Sequence, residues 1–248
     1  MKPAKSRRLL RGAAIALFWL GVWQAASMLV AKPVLFASPL DTLRALLALL
    51  PTAAFWQAVA ASMLRIALGF FLALLCGLLV GVCAFRFRFL KALLSPMLTV
   101  MKAVPVASFI ILVLVWFGSD RLVVIVAWLI VFPQIYFAVL AGLQSTDHAL
   151  LEMADVHRVP AKRIAWQIYR PALSPYLHSA CASALGMSWK AGIAAEVIGT
   201  PMHSVGEHLY LSKVYMATAE LFAWTLTVIL LSACFERGVM WLLGRAER

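Results

Sequence analysis

Lys102, Lys190 and Glu196 lie inside otherwise apolar sequence. An ionised side chain at such a depth costs roughly 2.5–3.5 kcal/mol on insertion scales, so it needs a partner, a water-filled path or a route to the interface. A buried ammonium can attract an anion. Pro105, three residues after Lys102, frees a backbone carbonyl, and the bend it makes could line a pathway together with Ser108. Snorkelling of Lys102 to the nearer interface is the competing reading. Trp189 adjoins Lys190, which lies deep enough for a pathway or a subunit contact. Glu196 is six residues further on and so occupies a different helix face. These six residues are the candidate pathway set.

A second concentration of charge runs for 20 residues from Glu152 to Pro171. It is too polar to cross a bilayer, and apolar stretches flank it on both sides. Asp147 can cap a helix containing Glu152 and Ala154, and Pro160 suits the first turn of another with Ala161 to Tyr169 as its body. Two short helices joined by a turn therefore fit Leu150 to Arg170. The bland alternative is a surface helix pair that only balances charge.

Other chemistry is not indicated. The sequence has no G-x-x-x-x-G-K-[ST] loop, so the chain is not expected to hydrolyse ATP, and it has no G-x-S-x-G or H-E-x-x-H. His203, Glu207 and His208 invite a metal reading, but two histidines five apart do not share a helix face. Cys76, Cys83, Cys181 and Cys234 have no C-x-x-C spacing, so no zinc site or disulfide frame is expected.

The elements that must position these residues are membrane helices. The chain is 64% hydrophobic and 13% charged, with mean hydropathy +0.94, whereas a soluble domain is about 25% charged. Six runs are long enough to span: Gly12 to Ala31, Ala60 to Phe85, Leu93 to Phe117, Leu122 to Leu143, Leu173 to Ile198, and Leu221 to Leu243. Backbone groups in lipid must be satisfied within the segment, so the fold class is an all-α integral membrane protein with six spans in a single domain, residues 1–248. The first run exceeds a signal-peptide core and is read as a retained helix.

Orientation follows from the basic residues. With the N-terminus inside, the inner segments hold 14 Lys and Arg, including Lys2, Lys5, Arg7, Arg8, Arg11 and Arg248, against 4 in the outer segments. Both termini and the 148–171 loop are expected to be cytoplasmic. The net charge of +12 is thus a topology signal facing anionic lipid headgroups, not a nucleic-acid site. Outside, Ser38-Pro39-Leu40-Asp41 should cap a short interfacial helix. Gly77-x-x-x-Gly81 should pack helices closely within the subunit.

The loop resembles the EAA loop of the inner-membrane permeases of binding-protein-dependent ABC importers. That pattern is Glu-Ala-Ala, a Gly four residues after the second Ala, then Ile and Leu-Pro. Glu152, Ala154, Ile168 and Pro171 fall on it, while Met153, Arg158 and Arg170 replace Ala, Gly and Leu. Ser38-Pro39, Arg65, Gly69, Pro105, Trp116-Phe117-Gly118 and Ala194-Ala195-Glu196 are similar to the nitrate/sulfonate/taurine branch. Ser108 and Ile111 depart from it.

The resemblance implies a fold like that of a type I ABC importer permease, working as the transmembrane subunit through which a small solute passes. Sulfonate, taurine, nitrate or a nucleobase-like vitamin precursor are candidate solutes. ATP and Mg would be bound by a separate ATPase dimer, and this chain itself would need no cofactor or metal. A second permease copy or sister permease and an extracytoplasmic solute-binding protein complete the implied partners, with membrane lipids around them in the bacterial inner membrane. Glu152, Ala154, Arg158, Ile168 and Pro171 would couple to the ATPase, with Glu152 as the acidic docking residue. A glycine at Arg158 would ease a turn with positive φ, so an altered turn is expected there. An energy-independent channel or carrier, or a membrane-assembly subunit that does not transport, are the alternatives. Both leave the loop pattern unexplained.

Overall fold

A computed structural model of the chain describes residues 3–32 and 34–246, with side chains from 12 to 245 except position 33. The side chains of Lys2, Lys5, Arg7, Arg8, Arg11 and Arg248 lie outside the described residues. The helices are α1 (Pro3–Val30), α2 (Pro39–Leu49), α3 (Ala53–Arg86), α4 (Arg88–Ala103), α5 (Val106–Gln144), α6 (His148–Val156), α7 (Ala161–Ile164), α8 (Arg170–Gly199), α9 (Val205–Val214) and α10 (Thr218–Ala246). A π-helical segment, Ala165–Tyr169, joins α7 to α8. Among the described residues there is no strand.

Four stretches are long and apolar enough to cross a membrane: Gly12–Val30, Ala53–Arg86, Val106–Gln144 and Thr218–Arg245. The expected third run, Leu93 to Phe117, is not one helix. Val104 (φ −69°, ψ 132°) and Pro105 (φ −58°, ψ 135°) are extended and separate α4 from α5. The physical reason is Pro105, which has no N–H to continue the ladder and biases Val104 away from helical geometry. α8 is 30 residues long, but Ser174, Ser179, Ser183, Ser188, His178, Lys190 and Glu196 lower its hydropathy.

α5 is two arms, broken at Gly118 (φ 73°, ψ 179°). Were it straight, Val106 would lie about 36 Å from Ile130. Instead Val106 and Phe109 share a cavity with Leu129, Ile130 and Pro133, and Ile110 and Val113 share a core cluster with Leu122, Val123 and Val126. Residues equidistant from Gly118 meet, so the chain reverses there. Glycine permits that backbone, which side chains on L-residues rarely adopt.

α5 is the centre of the packing, with α3 on one side and α8 on the other. Lipid tails offer no hydrophobic drive for helices to associate, so close van der Waals fit must supply it. α3 presents Gly69, Ala73, Gly77 and Gly81 to α5, all buried. A Cβ at Gly77 would stand 2.8 Å from the Ile135 Cβ, and one at Gly81 2.8 Å from that of Val139. The glycine pair thus packs two helices of one chain. Leu64, Leu68, Leu75, Leu79 and Val82, on other faces of α3, remain exposed.

At one end of the molecule lie α2 and α9, and at the other α6 and α7. Ser38 caps α2, accepting from the Asp41 N–H at 3.1 Å. Ser204 and Glu207 form a reciprocal capping box on α9. His208 stacks on Trp224 with ring centroids 4.6 Å apart. Among the described residues no cluster of His, Cys, Asp and Glu could hold a metal.

Candidate functional site

Three places carry the polar chemistry, and the first is the connection from α5 to α8. Asp147 caps α6 by accepting from the Ala149 N–H at 2.9 Å. α6 turns Ala154 inward, where it is buried beside Leu151, Val159, Ile164 and Tyr169 around a cavity of about 380 Å³. Outward it shows Glu152, Leu150, Met153 and Val156, the last 80% exposed. α6 then ends on Arg158 in the left-handed region, φ 50°. The Arg158 N–H donates to the Asp155 carbonyl and the Val159 N–H to that of Ala154, both at 2.9 Å. This is a Schellman close, the geometry a glycine ordinarily serves. The turn is therefore retained, not altered: two hydrogen bonds hold Arg158 in a conformation costing about 1–2 kcal/mol for an L-residue. Pro160 is the N-cap of α7. The second helix does not end near Arg170 as expected, since it passes through the π-helical segment into α8. Ile168 is half-buried and Pro171 exposed at the start of α8.

The second place is a cavity of about 350 Å³ between the end of α4, both arms of α5 and the middle of α8. Lys102, Phe109, Pro133, Gln134, Ser183 and Met187 are in its wall. The Lys102 ammonium lies 5.1 Å from the centre of the Phe137 ring, within cation–π range. Pro133 leaves the Leu129 carbonyl without its helical donor, and Gln134 Nε2 donates to the Ile130 carbonyl at 3.1 Å. Pro105 and Ser108 are exposed and outside this lining. So is Lys190, which is exposed on the α8 face that carries Ser183 and Met187, at i, i+4 and i+7. Trp189 points the other way, buried against Phe235 at 6.0 Å. Gln134 and Ser183 were missed in the sequence, although Gln134 is the one side-chain amide between Leu122 and Leu143.

Glu196 belongs to the third place, at the α8–α9 corner, and is 0% exposed. Its Oε2 accepts from Ser62 Oγ at 2.7 Å and from the Gly206 N–H at 3.0 Å. Arg65 faces its Oε1 at 3.9 Å and donates to the Met202 carbonyl at 3.1 Å. Ser62 Oγ in turn accepts from the Val205 N–H at 2.9 Å. One carboxylate thus ties α3 to the first turn of α9, where free N–H groups and the helix dipole favour negative charge. Gly206 is required by close approach, because a Cβ there would lie 2.2 Å from that of Glu196. The structure therefore separates the six candidate pathway residues: Lys102 is in the cavity wall, Glu196 is not.

Residues 69–246 match the family of binding-protein-dependent transport system inner membrane components, and the chain belongs to that family. It is similar to the taurine transport system permease protein TauC of Escherichia coli (strain K12), 24% identical over 229 residues that cover 88% of this chain and 81% of that protein. A probable ABC transporter permease protein of Haemophilus influenzae is 28% identical, over 96% of this chain and 97% of its own length. The bicarbonate transport system permease protein CmpB of Synechococcus elongatus is 24% identical, over 76% and 68% respectively. The chain is an inner-membrane permease of this ABC importer branch, a multi-pass protein of the bacterial inner membrane.

Proposed function

We propose that the chain is the transmembrane subunit of an ABC importer for a small anionic solute of the taurine, sulfonate, nitrate or bicarbonate kind, driven through α6 by a separate ATPase dimer. The observation that carries this reading is α6 itself. A capped helix with exposed apolar side chains and two acidic residues, Glu152 and Asp155, is held by the Schellman turn at Arg158 against α7, which runs on without a break in helical backbone into α8. Such a helix transmits displacement, whereas a flexible loop would absorb it. Glu152 would dock the ATPase and Ala154 would allow close packing. The Arg158 close, with Ile168 and Pro171 at the root of α8, would hold α6 at a fixed angle.

In this reading the chain crosses the membrane six times, with both termini inside. α1 and α3 make two crossings, α4 with the first arm of α5 the third, and the second arm the fourth. α8 and α10 make the last two. α6 and α7 are then cytoplasmic, and α2 and α9 face the extracytoplasmic solute-binding protein. Two permease chains, alike or sister, would flank the path, with Lys102 and Lys190 drawing the anion along it. Pro105, Ser108 and Trp189 would shape it, and Glu196 would act from behind as an anchor for α9.

The test is co-expression with a partner ATPase and binding protein, followed by ATPase assays in liposomes with taurine, nitrate or bicarbonate present. Solute-stimulated hydrolysis that is lost in Glu152→Lys is expected. Stimulation and complex formation both unchanged in that variant would sink the coupling role.

A further inference from the structure

α4 carries more than its terminal lysine. Arg88, Lys91, Ser95, Thr99 and Lys102 recur at spacings of three and four and fall within roughly 80° of arc at 3.6 residues per turn. The opposite side of the helix is an apolar ridge, Phe89, Leu93, Met97 and Val100, all well exposed. A helix lying on headgroups would turn its charged stripe to the water above the membrane. Here Ser95 instead meets the hydroxyl of Tyr136 at 3.0 Å, and Tyr136 is in the second arm of α5 and fully buried. Leu98, one turn beyond, is fully buried as well. The stripe thus borders the protein and the ridge is left for lipid.

From Arg88 to Lys102 the helix rises about 21 Å, further than a lysine side chain can snorkel. The stripe ends in the cavity that Gln134 and Ser183 help to line. Among the described residues no carboxylate pairs with Arg88, Lys91 or Lys102, and α4 contains none of its own. A line of three cations and two hydroxyls therefore joins this cavity to the start of α4, with no acidic group among the described residues to balance it.

We propose that this α4 stripe is the water-lined inner half of the solute path, that Gln134 and Ser183 face the solute where it begins, and that Lys102 selects for negative charge at that point. The proposal rests on the transport reading above and adds to it a route and residues that reading did not contain. An anion leaving the cavity would pass from Lys102 along Thr99 and Ser95 to Lys91 and Arg88. The hydroxyls, bonded to the Ser95 carbonyl at 2.7 Å and to Tyr136 at 3.0 Å, would space the cations apart, so no single site would hold it tightly.

Cysteine labelling in inside-out membrane vesicles holding the assembled transporter tests this without knowledge of the solute. Thr99→Cys on the stripe and Val100→Cys on the ridge are compared in a chain whose four native cysteines are alanine. If that background does not assemble, the unmodified chain's labelling is subtracted instead. The probes are two methanethiosulfonates, one bearing a sulfonate and one a trimethylammonium group. Thr99→Cys should react with the anionic probe at least tenfold faster than Val100→Cys. Adding Lys102→Met should lower the anionic-to-cationic rate ratio at Thr99→Cys at least threefold. Equal rates at the two positions, or no reaction at Thr99→Cys, would overturn the route. An unchanged ratio would overturn the selectivity. Failure of the transport reading would show separately, as wild-type complex without solute-stimulated ATPase.

Discussion

At the corner where α8 gives way to α9, a fully buried carboxylate gathers a hydroxyl and a guanidinium from α3 and a backbone N–H from α9. At the turn between α6 and α7, an exposed arginine sits in a left-handed conformation with two backbone hydrogen bonds, and apolar side chains point outward. Both are ends of helices that lead into or out of α8. The corner is completed by its own chain, since Ser62 is 134 residues from Glu196. The turn is finished locally, and Leu150, Met153 and Val156 beside it stay exposed. What is over-determined holds position, and what is left open is where a partner can act.

Four substitutions test that contrast. Glu196→Ala should have the largest effect. It removes a buried charge and leaves Arg65, Ser62 and the Gly206 N–H facing a gap, at a cost of about 3–5 kcal/mol. Thermal unfolding in detergent should fall by about 10 °C, with Glu196→Gln falling less because an amide oxygen can still accept. A wild-type melting curve for Glu196→Ala would remove the contrast altogether. Ala154→Leu comes next. Overpacking the inward face of α6 should cost about 1–3 kcal/mol, read as lower stability together with weaker ATPase association.

Met153→Glu should separate the two properties. Its melting should match wild type, while co-purification with the ATPase should drop about tenfold, which is roughly 1.4 kcal/mol. A drop in melting of the permease alone would mean that the outward face already has an intramolecular role. The smallest effect is expected for Arg158→Gly. Relief of the left-handed strain is worth about 1 kcal/mol, so melting should rise by about 2–4 °C with ATPase association preserved. Loss of association there would show that the arginine side chain itself touches the partner.

Much of this contrast can be read from local sequence. The Asp147 cap, the helix of Glu152 and Ala154, and the Pro160 start are set by neighbours a few residues away, and spacing exposes them. So does the break after Phe117, where Gly-Ser-Asp-Arg interrupts two apolar arms. The Arg158 turn was misjudged because residue identity argues against positive φ, while two hydrogen bonds from neighbouring positions argue for it. The break at Val104–Pro105 was placed inside a span, since hydropathy runs smoothly across it and proline alone bends as readily as it breaks. Glu196 could not be assigned from its neighbours at all. Its partners lie on α3 and α9, and no periodicity within α8 reveals them. Gln134 and Ser183 are uncharged, so neither looked costly in the membrane, and only the reversal at Gly118 shows that they share a wall with Lys102.

The π-helical segment, Ala165–Tyr169, has a consequence for the angular phase of everything beyond it. A single surplus residue in a helix advances its faces by about 100°. That offset sets which side of α8 carries Ser183, Met187 and Lys190 relative to the side of α6 that carries Glu152. Deleting one residue there, Gln167 for example, would let the backbone settle into ordinary α-helical winding with almost the same length. The α6–α7 turn would keep its shape, but the polar row of α8 would swing by about a quarter turn and face a different neighbour. The segment acts as the index mark between two dials, the polar row of α8 and the turn that precedes α7.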